Sequence, residues 1–462
     1  MMTLNDKSVL VLGLGESGLS MLRYLKTRGA RVRAADSRSA PPGLAEAKQY
    51  LAEPLIHCGA FSDALFDGVE LIAISPGVPL RDPAVARAVA SGIPVTGDIE
   101  LFAQRLASGD LPGSRVLAIT GSNGKTTVTR MVEHLCRMAG KDAVAAGNIS
   151  PAVLNVMLER GANQPEIWVL ELSSFQLETT SSLHADAATV LNISEDHLDR
   201  YAGLAEYSAA KARIFAGCDV QVLNRDDPLC ISLARMECRT VTFGLGEPDS
   251  VGDFGIVRSG GETWLVQGGQ RLLEAGELQV AGLHNVANAL AALALCRAIE
   301  LPMQALIDGL RSFKGLPHRV ERVDEIGGIT YYDDSKGTNV GATIAALQGL
   351  GCKAVLIAGG EGKGQEFAPL KPAVAQHARA VVLIGRDAPL IAAALDGCGV
   401  SVARAADMDD AVHQAAGLAH SGDAVLLSPA CASFDMFRNY EHRAEVFVHA
   451  VHALRRECAC HH

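Results

Sequence analysis

Short runs of Val, Ile, Leu and Ala alternate with Ala-rich stretches of helical period through most of this chain. Runs at 9–12, 71–74, 116–119, 168–170 and 356–358 are continuous apolar segments of strand length, and those at 30–35, 187–191 and 220–223 are apolar but for Arg31, Arg33, Thr189 and Gln221. That is the pattern of strands buried on both faces. Val128, Met131, Val132 and Leu135 recur at i, i+3, i+4 and i+7, the apolar stripe of a helix. Alternation of strand and helix throughout predicts an α/β fold built on parallel sheets with helices on both faces. The aliphatic region 286–306 carries Asn288, Arg297, Glu300 and Pro302, so it reads as one buried amphipathic helix and not as a membrane span. Small, Gly and Pro residues at 107–115 and 314–319 mark joints. They divide the chain into domains at 1–106, 107–315 and 316–462.

Two strand ends carry Gly-rich turns. Gly13-Leu14-Gly15-Glu16-Ser17-Gly18 follows the first strand and opens a helix, with Asp36 at the end of the next strand. This is a Rossmann fingerprint in its expected setting, and it indicates a nucleotide or sugar-nucleotide site without specifying NAD. A further strand ends in Ser75-Pro76-Gly77, where the backbone can approach a ligand closely.

The second turn, Thr120-Gly121-Ser122-Asn123-Gly124-Lys125-Thr126-Thr127, joins the strand at 116–119 to the amphipathic helix. A strand, a Gly-rich turn and a helix N-terminus make a cradle of N–H groups for phosphates. Lys125 then reaches the β/γ-phosphates, and the Thr126 hydroxyl holds Mg²⁺. The full Walker pattern has Gly where this chain has Ile119.

The formal charge of −11 argues against a nucleic-acid partner and makes lysines inside motifs more informative. Lys336, in Asp333-Asp334-Ser335-Lys336-Gly337-Thr338-Asn339, and Lys363, after Gly359-Gly360-Glu361-Gly362, both follow strand ends beside Gly-rich turns. They are candidates for binding a substrate anion. Glu171 and His197 follow strands of the middle region, where α/β sheets gather ligands, and suit a divalent metal. Lys211, among small helical neighbours, reads as a surface lysine. The eleven cysteines are odd in number and scattered, which fits a reducing compartment. With no basic or apolar signal segment at the N-terminus, the expected location is cytoplasmic. Cys458, Cys460, His461 and His462 offer soft ligands, but a frayed tail is the expected reading of a chain end.

From about residue 9 to 446 the chain resembles the Mur ligases, the ATP-dependent peptide ligases that build bacterial cell-wall precursors. The resemblance rests on Glu171-Leu172-Ser173-Ser174-Phe175-Gln176-Leu177-Glu178, Glu195-Asp196-His197-Leu198-Asp199-Arg200-Tyr201, Asp334-Ser335-Lys336 and Ser428-Pro429-Ala430-Cys431-Ala432-Ser433. These look like the branch that adds D-glutamate. The Asp-Asn-Pro-Arg signature of the ligase adding the third residue is not found. The resemblance implies three domains: an N-terminal Rossmann-like domain for the UDP-substrate, a central ATP-binding domain with a mostly parallel sheet, and a C-terminal Rossmann-like domain for the amino acid. It implies that ATP phosphorylates the carboxylate of UDP-N-acetylmuramoyl-L-alanine and that D-glutamate's amine displaces the phosphate.

Site residues are implied position by position. Gly121, Ser122, Asn123, Gly124, Lys125, Thr126 and Thr127 take the phosphates of ATP. Asn285 and Asn288 lie on the adenine side, and Arg319 and Asp334 lie around the γ-phosphate and ribose. Thr126 and Glu171 hold one Mg²⁺; His197 and Lys211, the latter carbamoylated, hold a second. Asn148 lies near the muramoyl-alanine end. Gly15, Glu16, Ser17, Asp36, Ser37, Arg38, Ser75 and Gly77 take the uridine nucleotide. Lys336, Thr338, Lys363, Ser433, Phe434 and Tyr440 form the D-glutamate pocket. A monomer is expected. Two alternatives stay open at this point: another ligase such as a folylpolyglutamate synthase, and a nucleotide-dependent binding protein without ligase chemistry.

Overall fold

The computed structural model describes residues 4–109, 113–196 and 200–460. Among these, the strands form three sheets that follow one another along the chain. The first contains β1 (Ser8–Leu12), β2 (Arg31–Asp36), β3 (Ile56–Cys58), β4 (Leu71–Ile74) and β5 (Val95–Thr96) in the order 3-2-1-4-5. All its pairings are parallel. The run at 71–74 is thus the fourth strand of this sheet. β3, three half-buried residues at an edge, carries no apolar run to announce it.

The second sheet contains β6 (Arg115–Thr120), β7 (Ala143–Gly147), β8 (Ile167–Glu171), β9 (Ala187–Val190), β10 (Val220–Asn224), β11 (Arg239–Phe243), β12 (Phe254–Ser259), β13 (Glu262–Gln267) and β14 (Gln270–Glu274). Their order is 14-13-12-11-10-9-6-8-7. Strands β6 to β11 pair in parallel, and β12, β13 and β14 form an antiparallel meander. That meander corrects the expectation of strand–helix alternation throughout. Gly260 and Gly261 adopt φ +65° and +89°, the left-handed pair that a two-residue hairpin needs. Gly268 and Gly269 make the next reversal.

The third sheet contains β15 (Glu321–Ile326), β16 (Ile329–Asp333), β17 (Ala354–Gly359), β18 (Ala378–Ile384), β19 (Ser401–Arg404) and β20 (Ala424–Leu427) in the order 15-16-20-17-18-19. Only β15 runs antiparallel to its neighbour.

The helix after the phosphate-loop turn, Lys125–Met138, buries Val128, Met131, Val132 and Leu135 completely, as its period predicted. Full burial of such a side chain contributes about 1.5–3 kcal/mol. Its partner is Leu283–Ala298, which is apolar nearly all round. The aliphatic region 286–306 does not continue as one helix: Leu283–Ala298 ends and Met303–Ser312 begins after it. Pro302 keeps Leu301 out of helical geometry, and Glu300 terminates the first helix at φ +64°. No helix among the described residues is long and apolar enough to cross a membrane. The last helix among the described residues is Tyr440–Cys460, on which Cys458 is exposed. His461 and His462 lie outside the described residues.

Candidate active site

The turn between β6 and the helix Lys125–Met138 has a shape that only glycine fits. Gly124 has φ +82°, and a Cβ there would stand 2.8 Å from Asn288 Oδ1. A Cβ on Gly121 would stand 3.0 Å from Leu191 Cβ. The closeness of Asn288 shows why this turn faces the helix Leu283–Ala298. The helix start at Lys125 aims free N–H groups and the positive dipole end at whatever occupies the turn. Lys125 Nζ donates to Gly121 O at 2.8 Å and to Ser122 O at 2.9 Å. Burial pulls its pKa down, while Glu171 and Asp196 act in the other direction.

Glu171 ends β8 and is only 2% exposed. Its Oε1 accepts a 2.8 Å bond from Asn148 Nδ2, and Asn148 N donates to Glu171 O at 2.8 Å. Its Oε2 is buried without a partner among the described residues. An orphaned carboxylate oxygen beside a phosphate-binding turn is the donor a hard divalent cation requires, so Glu171 and the Thr126 hydroxyl fit Mg²⁺. His197 lies outside the described residues.

Lys211 is not a surface lysine. It is 1% exposed, on the helix Leu204–Ala212, with Nζ donating to Gly121 O at 2.9 Å and to Thr120 Oγ1 at 3.4 Å. The Tyr207 ring lies 4.5 Å beneath it. Burial, and then the neighbouring Lys125, drive its pKa well below that of a free lysine. The small Ala neighbours that suggested exposure instead admit the helix close to the turn.

Across from this turn the third sheet supplies a second wall. A cavity of about 560 Å³ is lined by Ser122, Asn123, Gly124, Lys125, Thr126, Asn148 and Glu171 on one side. Arg319, Lys336, Thr338, Lys363 and Tyr440 line the other. Lys336 Nζ sits 3.9 Å over the Tyr440 ring; burial, followed by Arg319, lowers its pKa to about 8. Lys363 holds φ +52° next to Gly362. Ser433 is buried and Phe434 is 66% exposed, and both lie outside this cavity's walls.

A smaller cavity of about 180 Å³ adjoins it, lined by Thr127, Asn285, Asn288, Arg319 and Asp334 among others. Asn288 Nδ2 donates to Asn285 Oδ1 at 3.1 Å. Burial raises Asp334 to about 7, although Ser428 Oγ donates to it at 2.6 Å.

The first-sheet candidates lie at the C-terminal ends of the adjacent strands β1, β2 and β4. Asp36 Oδ2 accepts from Leu14 N at 2.7 Å and from Arg38 Nη2 at 2.7 Å, and its pKa is about 2, held low against burial by Arg38 and these backbone bonds. Ser75 Oγ donates to Gly13 O at 3.1 Å. Glu16 Oε1 instead reaches the loop that follows β7 of the second sheet, accepting from Ala152 N at 2.9 Å and Ser150 Oγ at 3.1 Å. Gly15, Ser17, Ser37 and Gly77 complete this group along the same strand ends.

Some lining residues had no role assigned from sequence. Asn192 and Asn224 line the smaller cavity, and Asn339 and Gln365 line the larger. Single carboxamides have no spacing signature. Asn192, Asn224 and Asn339 each stand in a polar run that follows a strand, but nothing in those runs singled the asparagine out.

Three family models match the chain in succession: a Mur ligase MurD-like N-terminal domain at residues 7–97, a Mur ligase middle domain at 119–296 and a Mur ligase glutamate ligase domain at 318–431. The chain is 56% identical over 460 residues to a UDP-N-acetylmuramoylalanine–D-glutamate ligase of Nitrosospira multiformis, covering 98% of this chain and 97% of that protein. It is 57% identical over 469 residues to the Thiobacillus denitrificans enzyme of the same name, covering 99% and 98%. Among solved structures, MurF from Acinetobacter baumannii shares the fold with a TM-score of 0.60 at 17% identity, over 97% of this chain and 92% of that one. The UDP-N-acetylmuramate–alanine ligase MurC of Thermotoga maritima does so at 0.59 and 21%, over 97% and 99%.

Proposed function

We infer the reaction from one premise: this chain belongs to the Mur ligase family. It is an ATP-dependent ligase that joins D-glutamate to UDP-N-acetylmuramoyl-L-alanine in peptidoglycan precursor synthesis. The observation that carries the reading is the single cavity in which Lys125 and the orphaned Glu171 carboxylate face Lys336 and Lys363. Phosphate-side and amino-acid-side cations thereby meet around one reaction centre.

In this reading residues 1–106 bind the uridine nucleotide through Gly15, Ser17, Asp36, Ser37, Arg38, Ser75 and Gly77. Residues 107–315 bind ATP, and residues 316–462 bind D-glutamate. The central difficulty is a carboxylate approaching a triphosphate, anion on anion. Bound Mg²⁺ supplies charge that offsets this repulsion and the charge on the transferring phosphoryl group. Thr126 and Glu171 hold one ion; His197 and Lys211 hold a second. Lys125 meets the phosphates, and Arg319 adds a second cation. Asn148 fixes the Glu171 carboxylate and faces the muramoyl-alanine carboxylate. Lys211 acts as a carbamate. Its depressed pKa leaves a neutral amine whose lone pair bonds to the carbon of CO₂, and one proton leaves. Asn285, Asn288 and Asp334 receive the nucleoside. Lys336, Thr338, Lys363 and Tyr440 receive D-glutamate; Ser433 and Phe434, which stand outside the cavity's walls, are assigned to it from the family resemblance alone. The carboxylate is activated as an acyl phosphate, and the amine displaces phosphate. A cytoplasmic monomer completes the reading.

Phosphate release from ATP that requires both D-glutamate and the UDP-muramoyl precursor is the expected result. Release with neither, or equal release with other amino acids, overturns the reading.

Lys363→Ala is expected to raise KM for D-glutamate at least about tenfold, since the substrate carboxylate loses a charged partner. KM for ATP should change much less. Steady-state kinetics with each substrate varied separates this from a general loss of fold. The pH dependence has a definite sign. Lys336, with its pKa lowered to about 8, is a cation below that value and loses its charge above it. KM for D-glutamate should therefore rise as pH climbs through about 8, and Lys336→Arg should move the rise upward. A KM that is flat to pH 10 in the native enzyme excludes Lys336 from carboxylate binding.

A further inference from the structure

Asn339 caps the helix Val340–Gly349, its Oδ1 accepting from Ala342 N at 2.9 Å. The other end of the same carboxamide does something a cap does not need. Its Nδ2 donates at 3.0 Å to Asn123 Oδ1 in the phosphate-binding turn, 216 residues away in sequence. Asn123 is in turn held from behind. Its N–H donates to Asn192 Oδ1 at 2.8 Å, and Asn192 Nδ2 donates to Asn123 O at 3.1 Å. Asn192 thus holds the backbone of Asn123 and Asn339 holds its side chain, which links the segment after β9, through the phosphate turn, to the loop that carries Lys336 and Thr338. Asn339 is buried, so water competes little for these bonds.

Gly341 fits the same contact. A Cβ there would stand 3.1 Å from Ser194 Oγ and 3.2 Å from Asn123 Nδ2. Gly341 is in a helix and has no left-handed φ, so its backbone does not require glycine. Closeness to the phosphate turn is what a side chain there would disturb.

We propose that Asn339 is a positioning residue that couples the phosphate-binding turn to the amino-acid pocket, with Gly341 as the gap that lets the two surfaces meet. Nucleotide bound on the turn orders Asn123, and Asn339 passes that order to the segment carrying Lys336 and Thr338. Coupling of this kind is reciprocal, so an occupied amino-acid pocket stabilises the turn equally. The pocket's occupant, D-glutamate, rests on the functional reading above; the mechanical link does not.

The test uses two variants of the full chain. Asn339→Ser keeps a neutral oxygen able to cap Ala342 N but is too short to reach Asn123. Gly341→Ala keeps Asn339 and pushes the surfaces apart, while alanine favours the helix. Hydrogen exchange of residues 336–349 is followed with and without Mg²⁺ and a non-hydrolysable ATP analogue. In the native protein the analogue should slow exchange there at least fivefold. In both variants the slowing should fall below twofold while protection of residues 121–128 persists and Tm stays within about 3 °C or rises. KM for D-glutamate at saturating ATP and KM for ATP at saturating D-glutamate should both increase, each at least about fivefold. Native-like protection of 336–349 in Gly341→Ala, or no nucleotide-dependent protection in the native protein, overturns the proposal. A native enzyme that does not turn over D-glutamate overturns the functional reading instead, and the exchange measurement still decides the link.

Discussion

Lys125→Ala should abolish ligation while the protein unfolds at nearly its native temperature. Among the described residues the ammonium bonds to two carbonyls of its own turn, Gly121 O and Ser122 O. Each such bond contributes on the order of 1 kcal/mol net, and removing a partly desolvated cation offsets part of that loss. The catalytic loss is larger. A cation aimed at charge that grows during phosphoryl transfer is worth on the order of 10²–10³ in kcat. Phosphate-release kinetics and a thermal melt on one preparation check both halves. Turnover within about tenfold of native, or about 1.4 kcal/mol of barrier, removes Lys125 from the phosphate site.

Lys211→Ala should be almost as inactive, and for a different reason. The native side chain is sealed among Thr120, Gly121 and Tyr207, so truncation leaves a buried hole lined by polar groups. If the working form is a carbamate, what is lost is an anion held at that point. Acetate or formate should then restore part of the activity of the alanine variant. Bicarbonate should not, since the amine that would capture CO₂ is gone. Titrating each acid against initial rate is the measurement. Full activity of Lys211→Ala, or no rescue by any small carboxylate, excludes the carbamate.

These two lysines also mark how far sequence reading reaches. Lys125 was legible because its signal is local. A buried strand, a Gly-rich turn and an apolar stripe of period 3.6 are all contained in residues 116–135, and the structure keeps that geometry. Lys211 was not legible from its neighbours, because what buries it is Thr120 and Gly121, some 90 residues away. Only the family resemblance singled it out. The same division runs through the fold. Long apolar strands were found, whereas the three-residue β3 and the β12–β14 meander were missed. An edge strand with half-buried polar residues has no run to detect, and a Gly-Gly reversal resembles any other loop until both φ values are known. The region 286–306 failed at a single point: Pro302 outweighs the apolar composition around it. Asn339 failed differently, since a carboxamide has meaning only once its partner is in place.

The large cavity takes its walls from Ser122 through to Tyr440. This sets an order of events during synthesis. The phosphate turn and its helix can form as soon as the second sheet has assembled. The wall bearing Lys336, Lys363 and Tyr440 does not exist until the helix that begins at Tyr440 has left the ribosome. Its closing contacts join residues hundreds of positions apart, the kind that form late in folding. The phosphate turn is therefore complete before the wall that faces it, and the cavity closes only once the helix beginning at Tyr440 is in place.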